Sequence, residues 1–121
     1  MDPKHPVSET DWNIRELMER LEDDHEFFRE LLVMFREDSL ATLDKARHAM
    51  ALGDFDQLSR AAHTMKGMLK NLAMNASAEI AAELEQRARD RQPSEELLVS
   101  LDSAVAAMRH QVEAQLAEVK A

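Results

Sequence analysis

The sequence contains no cysteine and no tyrosine, and only two glycines and three prolines among 121 residues. Without cysteine there is no disulfide, no thiolate nucleophile and no zinc site of the cysteine type. With so few glycines and prolines, and sparse β-branched residues, the composition favours helix over sheet and predicts an all-α class. Long apolar runs are also missing. Residues 31–35 form one of the longest, far short of the roughly 20 residues that cross a bilayer, so membrane insertion is not expected. Residues 1–8 carry Pro3 and Pro6 but no apolar stretch before a small-residue cleavage site. They read as a flexible tail rather than a secretory signal, which points to the cytoplasm. Basic residues are outnumbered, 15 Lys and Arg against 24 Asp and Glu, for a net charge of −9. Such a chain is poorly suited to neutralising a nucleic-acid backbone. What remains is one acidic domain over residues 9–121, long enough for a single core with a radius of gyration of about 14 Å.

Punctuation divides that domain into five helical segments. Residues 8–11 offer a helix start, Gly53-Asp54 a break and restart, Asn75 a cap, and Gln92-Pro93-Ser94 another. The first segment, about residues 11–21, places Ile14, Leu17, Met18 and Leu21 on one stripe and is expected to lid the rest. The second, about 24–52, opens on acids that suit the helix dipole and ends at Gly53. Its stripe is Phe28, Leu31, Leu32, Phe35, Leu43, Ala46 and Met50. The third runs from Asp54, with Gln57 as a capping-box partner, to about Met74. The fourth, about 75–89, offers Ile80, Ala81, Leu84 and Ala88 for burial. The fifth, about 94–119, sets Leu98, Leu101, Val105, Met108, Val112 and Val119 on a near-heptad seam. Four long helices with short links predict an antiparallel up-and-down four-helix bundle with a short additional N-terminal helix. An internal face explains the seam without a dimer, so a monomer is expected.

The third segment concentrates unusual features. Its apolar positions Leu58, Ala61, Ala62, Met65, Leu69 and Leu72 gather about one direction of the helical wheel. Measured from Leu58, His63 lies about 140° round, Lys70 about 120°, Lys66 about 80°, Gly67 about 180° and Arg60 about 200°. His63 therefore points outward, with Lys66, Gly67 and Lys70 along its ridge. From residue 57 to residue 78 there is no acid at all, which makes a local positive patch on an acidic protein. Gly67 costs a helix interior about 1 kcal/mol relative to Ala. A missing side chain one turn from the imidazole would let another surface approach it closely. Met74, about 160° from the apolar centre, is expected on the same outward side as a docking contact. These features leave two readings open, a solvated helix face and a reactive imidazole.

The stretch Ala61-Ala62-His63-Thr64-Met65-Lys66-Gly67, preceded by Gly53-Asp54 and a long helix, resembles a histidine-containing phosphotransfer (HPt) domain of two-component phosphorelays. The resemblance runs from about residue 17 to residue 116, with His-x-x-Lys-Gly as its most specific part. It implies that His63 is the phosphoacceptor, that Lys66 lies near the phosphoryl group, and that Gly67 admits the partner. Ala73 stands where many members have a second Gly. The implied partners are a response-regulator receiver domain and a sensor or hybrid histidine kinase. Arg60, Lys70 and Met74 are expected in the receiver-docking surface.

The chemistry is consistent with the residues present. A neutral imidazole has a lone pair for nucleophilic attack, and its product is a phosphoramidate whose phosphoryl group can pass to an aspartate. No cofactor is expected in this chain, and Mg²⁺ is expected on the receiver's carboxylates. Neither a Gly-rich nucleotide loop nor a kinase signature set is present, so phosphate is expected from a partner rather than from ATP. Glu22-x-x-His25 has the spacing of a di-iron half-site but no second copy. The dimeric phosphoacceptor bundle of histidine kinases usually has an acid directly after the His, where Thr64 stands. The alternative reading is a non-catalytic helical adaptor of the same shape.

Overall fold

The computed structural model describes residues 12–120, with side chains as far as residue 118. The expected tail, His5, the start at residues 8–11 and the side chain of Val119 lie outside the described residues. The helices are α1 (Ile14–Arg20), α2 (His25–Leu52), α3 (Phe55–Asn71), α4 (Asn75–Arg89) and α5 (Glu95–Lys120). Local chemistry sets most of these limits. The Asp24 carboxylate accepts from the Phe27 N–H at 3.0 Å and opens α2. Gly53 closes it in the left-handed region, at φ 68°, where a residue without Cβ is favoured. The N–H groups of Gly53 and Asp54 donate to the carbonyls of Met50 and Ala49, and Asp54 at once caps α3 by accepting from Gln57 N–H at 3.1 Å.

α2 packs on α3 and α5, and α4 packs on the same two, which closes a ring of four helices. Arg47 pairs with Asp102 and Arg36 with Glu113, so α2 and α5 run antiparallel. The expected apolar positions meet in the middle. Phe28, Leu32, Phe35, Leu43 and Ala46 of α2 are buried, Leu31 and Met50 half-buried. In α5, Leu98, Leu101, Val105, Met108 and Val112 are all buried within this core, as an internal face requires.

The N-terminal segment departs from expectation. Of the α1 stripe only Leu17 is fully buried, while Ile14, Met18 and Leu21 are half-buried. The larger contribution comes from Trp12, ahead of the helix. Its indole stacks on Phe28 with centroids 6.2 Å apart, and its Nε1 donates to the Leu72 carbonyl at 2.7 Å. Asn13 N–H donates to the Ala73 carbonyl, and Arg20 Nη1 to that of Lys70. The segment thus satisfies carbonyls at the end of α3 and ties it down.

α3 also stops earlier than its pattern suggests. Ala73 adopts φ 59°, its N–H donates to the Lys70 carbonyl, and Met74 N–H donates to that of Leu69. This reversal corrects two expectations. Met74 is fully buried rather than on the docking face, because the helical wheel no longer applies beyond Asn71. Asn75 is the first residue of α4 rather than its cap, and its Nδ2 donates to Glu16 Oε2.

Candidate functional site

α3 buries Leu58, Ala61, Ala62, Met65 and Leu69, and the rotation that does so turns His63 outward with 64% of its side chain exposed. The facing helix is dominated by small residues. Ala78, Ala81 and Ala88 of α4 are buried against the core, and small side chains let helix axes approach closely. Across this seam α4 delivers Glu85, whose side chain is only 4% exposed. One carboxylate oxygen, Oε2, lies 2.9 Å from His63 Nδ1, and the other accepts from Lys66 Nζ at 2.7 Å. Arg89, one turn along α4, places Nη2 2.7 Å from the same Oε2.

A buried carboxylate is costly unless it is paired. Burial pushes the Glu85 carboxyl upward. Hydrogen bonds from Lys66 and His63, with the charges of Lys66 and Arg89, outweigh that and hold it below the ordinary carboxylate range. An ionised carboxylate can only accept, so Nδ1 carries the proton and the imidazole lone pair sits on Nε2. Nε2 is on the ring edge opposite Glu85, on an exposed side chain. Glu85 thus fixes both the tautomer and the direction of the remaining ring nitrogen.

Gly67 completes the geometry. A Cβ built there meets nothing within 4 Å, so no neighbour among the described residues demands a glycine. The helix cost is not offset by internal packing, and the space beside His63 is open to an approaching molecule. An open groove of about 420 Å³ runs past the imidazole, lined by Ser59, Arg60, His63, Thr64, Glu85 and Arg89. Arg60 is thus brought beside His63. Lys66 is 23% exposed and anchored on Glu85. Lys70 is exposed about 10 Å farther along the axis and does not line the groove, and its carbonyl receives Arg20.

The basic ridge expected on α3 is therefore not uncompensated, because Glu85 lies across it. A helical wheel for α3 cannot show this, since the acid belongs to another helix. A signal was nonetheless present: Glu85 follows Leu84, lies four residues after Ala81 and three before Ala88, and so flanks the buried stripe of α4. A carboxylate in that position needs partners. Among the described residues no group of three or more His, Asp or Glu is arranged to hold a metal ion. His25, His48 and His110 are exposed.

Known proteins resemble this chain in sequence and fold. In the sensor protein TorS of Escherichia coli (strain K12), 62 residues align at 36% identity, covering 51% of this chain and 7% of that much longer protein. The crystal structure of histidine-containing phosphotransfer protein B (HptB) from Pseudomonas aeruginosa PAO1 superposes with a TM-score of 0.83 and 26% identity. That match covers 92% of this chain and 98% of the other. Residues 30–120, which hold the whole His63–Glu85 seam, match the model of the Hpt domain, and the chain belongs to that family of phosphorelay histidine phosphotransfer modules.

Proposed function

We propose that Nε2 of His63 is the phosphoacceptor. The lone pair on Nε2 attacks the phosphorus of an aspartyl phosphate on a receiver domain. The N–P bond forms as the bond from phosphorus to the carboxylate oxygen breaks, and the aspartate leaves as a carboxylate. The Glu85 carboxylate, held against Nδ1–H, offsets the positive charge that the ring gains. Lys66 supplies charge beside the transferring oxygens, and Gly67 supplies the room for the receiver to come within bonding distance. The reverse step hands the phosphoryl group to a second receiver.

A sensor or hybrid kinase supplies the phosphate from ATP, which places the relay in the cytoplasm. Mg²⁺ belongs on the receiver's carboxylates, because Glu85, the carboxylate in contact with His63, is already engaged by Lys66 and Arg89. Arg60 and Lys70 contribute to the docking surface, and the chain acts as a monomer. No helix among the described residues is long and apolar enough to cross a membrane.

The observation that carries this reading is the 2.9 Å contact between Nδ1 and a buried carboxylate, which leaves Nε2 free on an exposed ring beside a glycine. Incubation with receiver domains carrying labelled phosphate should transfer label to this chain, acid-labile and absent from His63→Gln. Label that survives in the variant overturns the assignment. Receiver binding without any label in the parent would favour the adaptor reading instead.

A further inference from the structure

The basic ridge of α3 is neutralised on one side only. Toward α4, Glu85 takes up Lys66 and Arg89. Toward α2, Lys45 and Arg60 meet at a second recess of about 150 Å³, with Gln57 and Thr64 exposed at its rim and Thr42 and Ala61 buried beneath. No carboxylate lines this recess. Arg20, Arg36, Arg47 and Arg91 each lean on an acid, whereas neither Lys45 nor Arg60 has an ion-pair partner among the described residues. Two cations that share a recess repel each other, so their placement calls for an anionic partner. Arg60, Thr64 and Gly67 follow at spacings of four and three and so share one face of α3. A receiver that closes on His63 over Gly67 therefore also covers the recess.

We propose that the Lys45–Arg60 recess selects among receivers by taking one acidic side chain of the receiver's docking face, separate from the aspartate that carries phosphate and from the carboxylates that hold Mg²⁺. This rests on the reading of His63 as phosphoacceptor, which brings the receiver to this side of α3. A carboxylate offers one oxygen to the guanidinium fork and one to the ammonium. A free anion is a poor occupant. Each exposed contact contributes about 0–1 kcal/mol, too little to hold a small ion, whereas a docked domain delivers its carboxylate at high effective concentration. Contacts of this kind raise the rate of encounter and reject partners with a basic side chain in the same place. The recess thus bears on which receiver is served, while Glu85 and Lys66 act at the imidazole.

The test follows transfer to the full chain, held in excess, from the labelled receiver domain that the parent accepts fastest. It reads the maximal single-turnover rate and the concentration of this chain that gives half of it, with circular dichroism as a check on folding. Lys45→Glu should raise the half-saturating concentration about tenfold and leave the maximal rate within about twofold, and Lys45→Arg should match the parent. Arg60→Glu should raise the half-saturating concentration to a similar extent. Each exposed Asp or Glu of the receiver is then changed in turn to Lys. One of these changes should weaken transfer to the parent about tenfold and restore most of the loss in Lys45→Glu. Half-saturating concentrations that stay at the parent's value, or a loss that no receiver substitution restores, overturn the proposal. Inhibition of the parent by about 1 mM inorganic phosphate at constant ionic strength, absent in Lys45→Glu, marks a small-anion site and overturns it too. Phosphoramidate needs no receiver: its N–P bond breaks, ammonia leaves, and the new bond forms to Nε2. A ³¹P phosphohistidine signal that is absent from the parent or persists in His63→Gln overturns the assignment of His63 instead.

Discussion

Two polar seams join antiparallel helices in this bundle, and they are built differently. Between α2 and α5, Arg47 bridges Asp44 and Asp102, Arg36 meets Glu113, and Arg109 donates to Ser39 Oγ and the Arg36 carbonyl. The ion pairs of that seam involve long, largely exposed side chains in separate contacts. Between α3 and α4, three cationic or protonatable groups converge on one buried carboxylate. Exposed pairs contribute little and can rearrange, whereas a buried carboxylate must keep its partners and so fixes where they stand. The first seam aligns helices, and the second aims an imidazole.

That contrast can be broken most directly at Gly67. Gly67→Leu should leave the bundle folded, since its Cβ enters open space, yet slow phosphotransfer by about a hundredfold or more by displacing the receiver. Transfer kinetics with a phosphorylated receiver, read beside a thermal melt, check both halves. Gly67→Ala should stabilise the helix by about 1 kcal/mol, which would show directly that the glycine is not there for stability. Lys66→Ala should slow transfer by about tenfold or more, measured by the same kinetics.

Smaller effects sharpen the contrast on the stability side. Glu85 binds its proton more weakly in the folded chain than its ordinary value of 4.5. Its pairing therefore stabilises the fold at neutral pH, and that contribution is lost as pH falls from about 4.5 through the folded value. Glu85→Gln should flatten this acid limb in melting temperatures recorded against pH. Arg47→Ala, in the other seam, should change stability by no more than about 1 kcal/mol in a denaturant titration and leave transfer rates untouched.

Much of this was legible before any coordinates. The Asp54 cap and the helix end at Gly53 are local signals, and they appear where the sequence places them, while Asp24, expected only as an acid at the start of α2, also caps it. His63 and Gly67 could be singled out because the periodicity of α3 assigns each residue a direction within a single helix. Met74 is buried, against the direction that period assigns it, because Ala73 turns the backbone over just before it. Nothing in an alanine at that position announces a positive φ. The anchoring role of Trp12 has no local signal at all. Its partners are the Leu72 carbonyl and the Phe28 ring, 60 and 16 positions away, and a backbone carbonyl has no sequence signature.

The sequence by itself determined the helices, their buried faces and the outward imidazole, because capping and period act over a few residues and need no partner. Only the tertiary structure decided which nitrogen of His63 is free. That choice depends on a carboxylate 22 residues away, brought within 2.9 Å by the register of α4 against α3. The register in turn follows from the reversal at residues 72–74 and the packing of small side chains, a balance of many contacts that no single stretch of chain encodes.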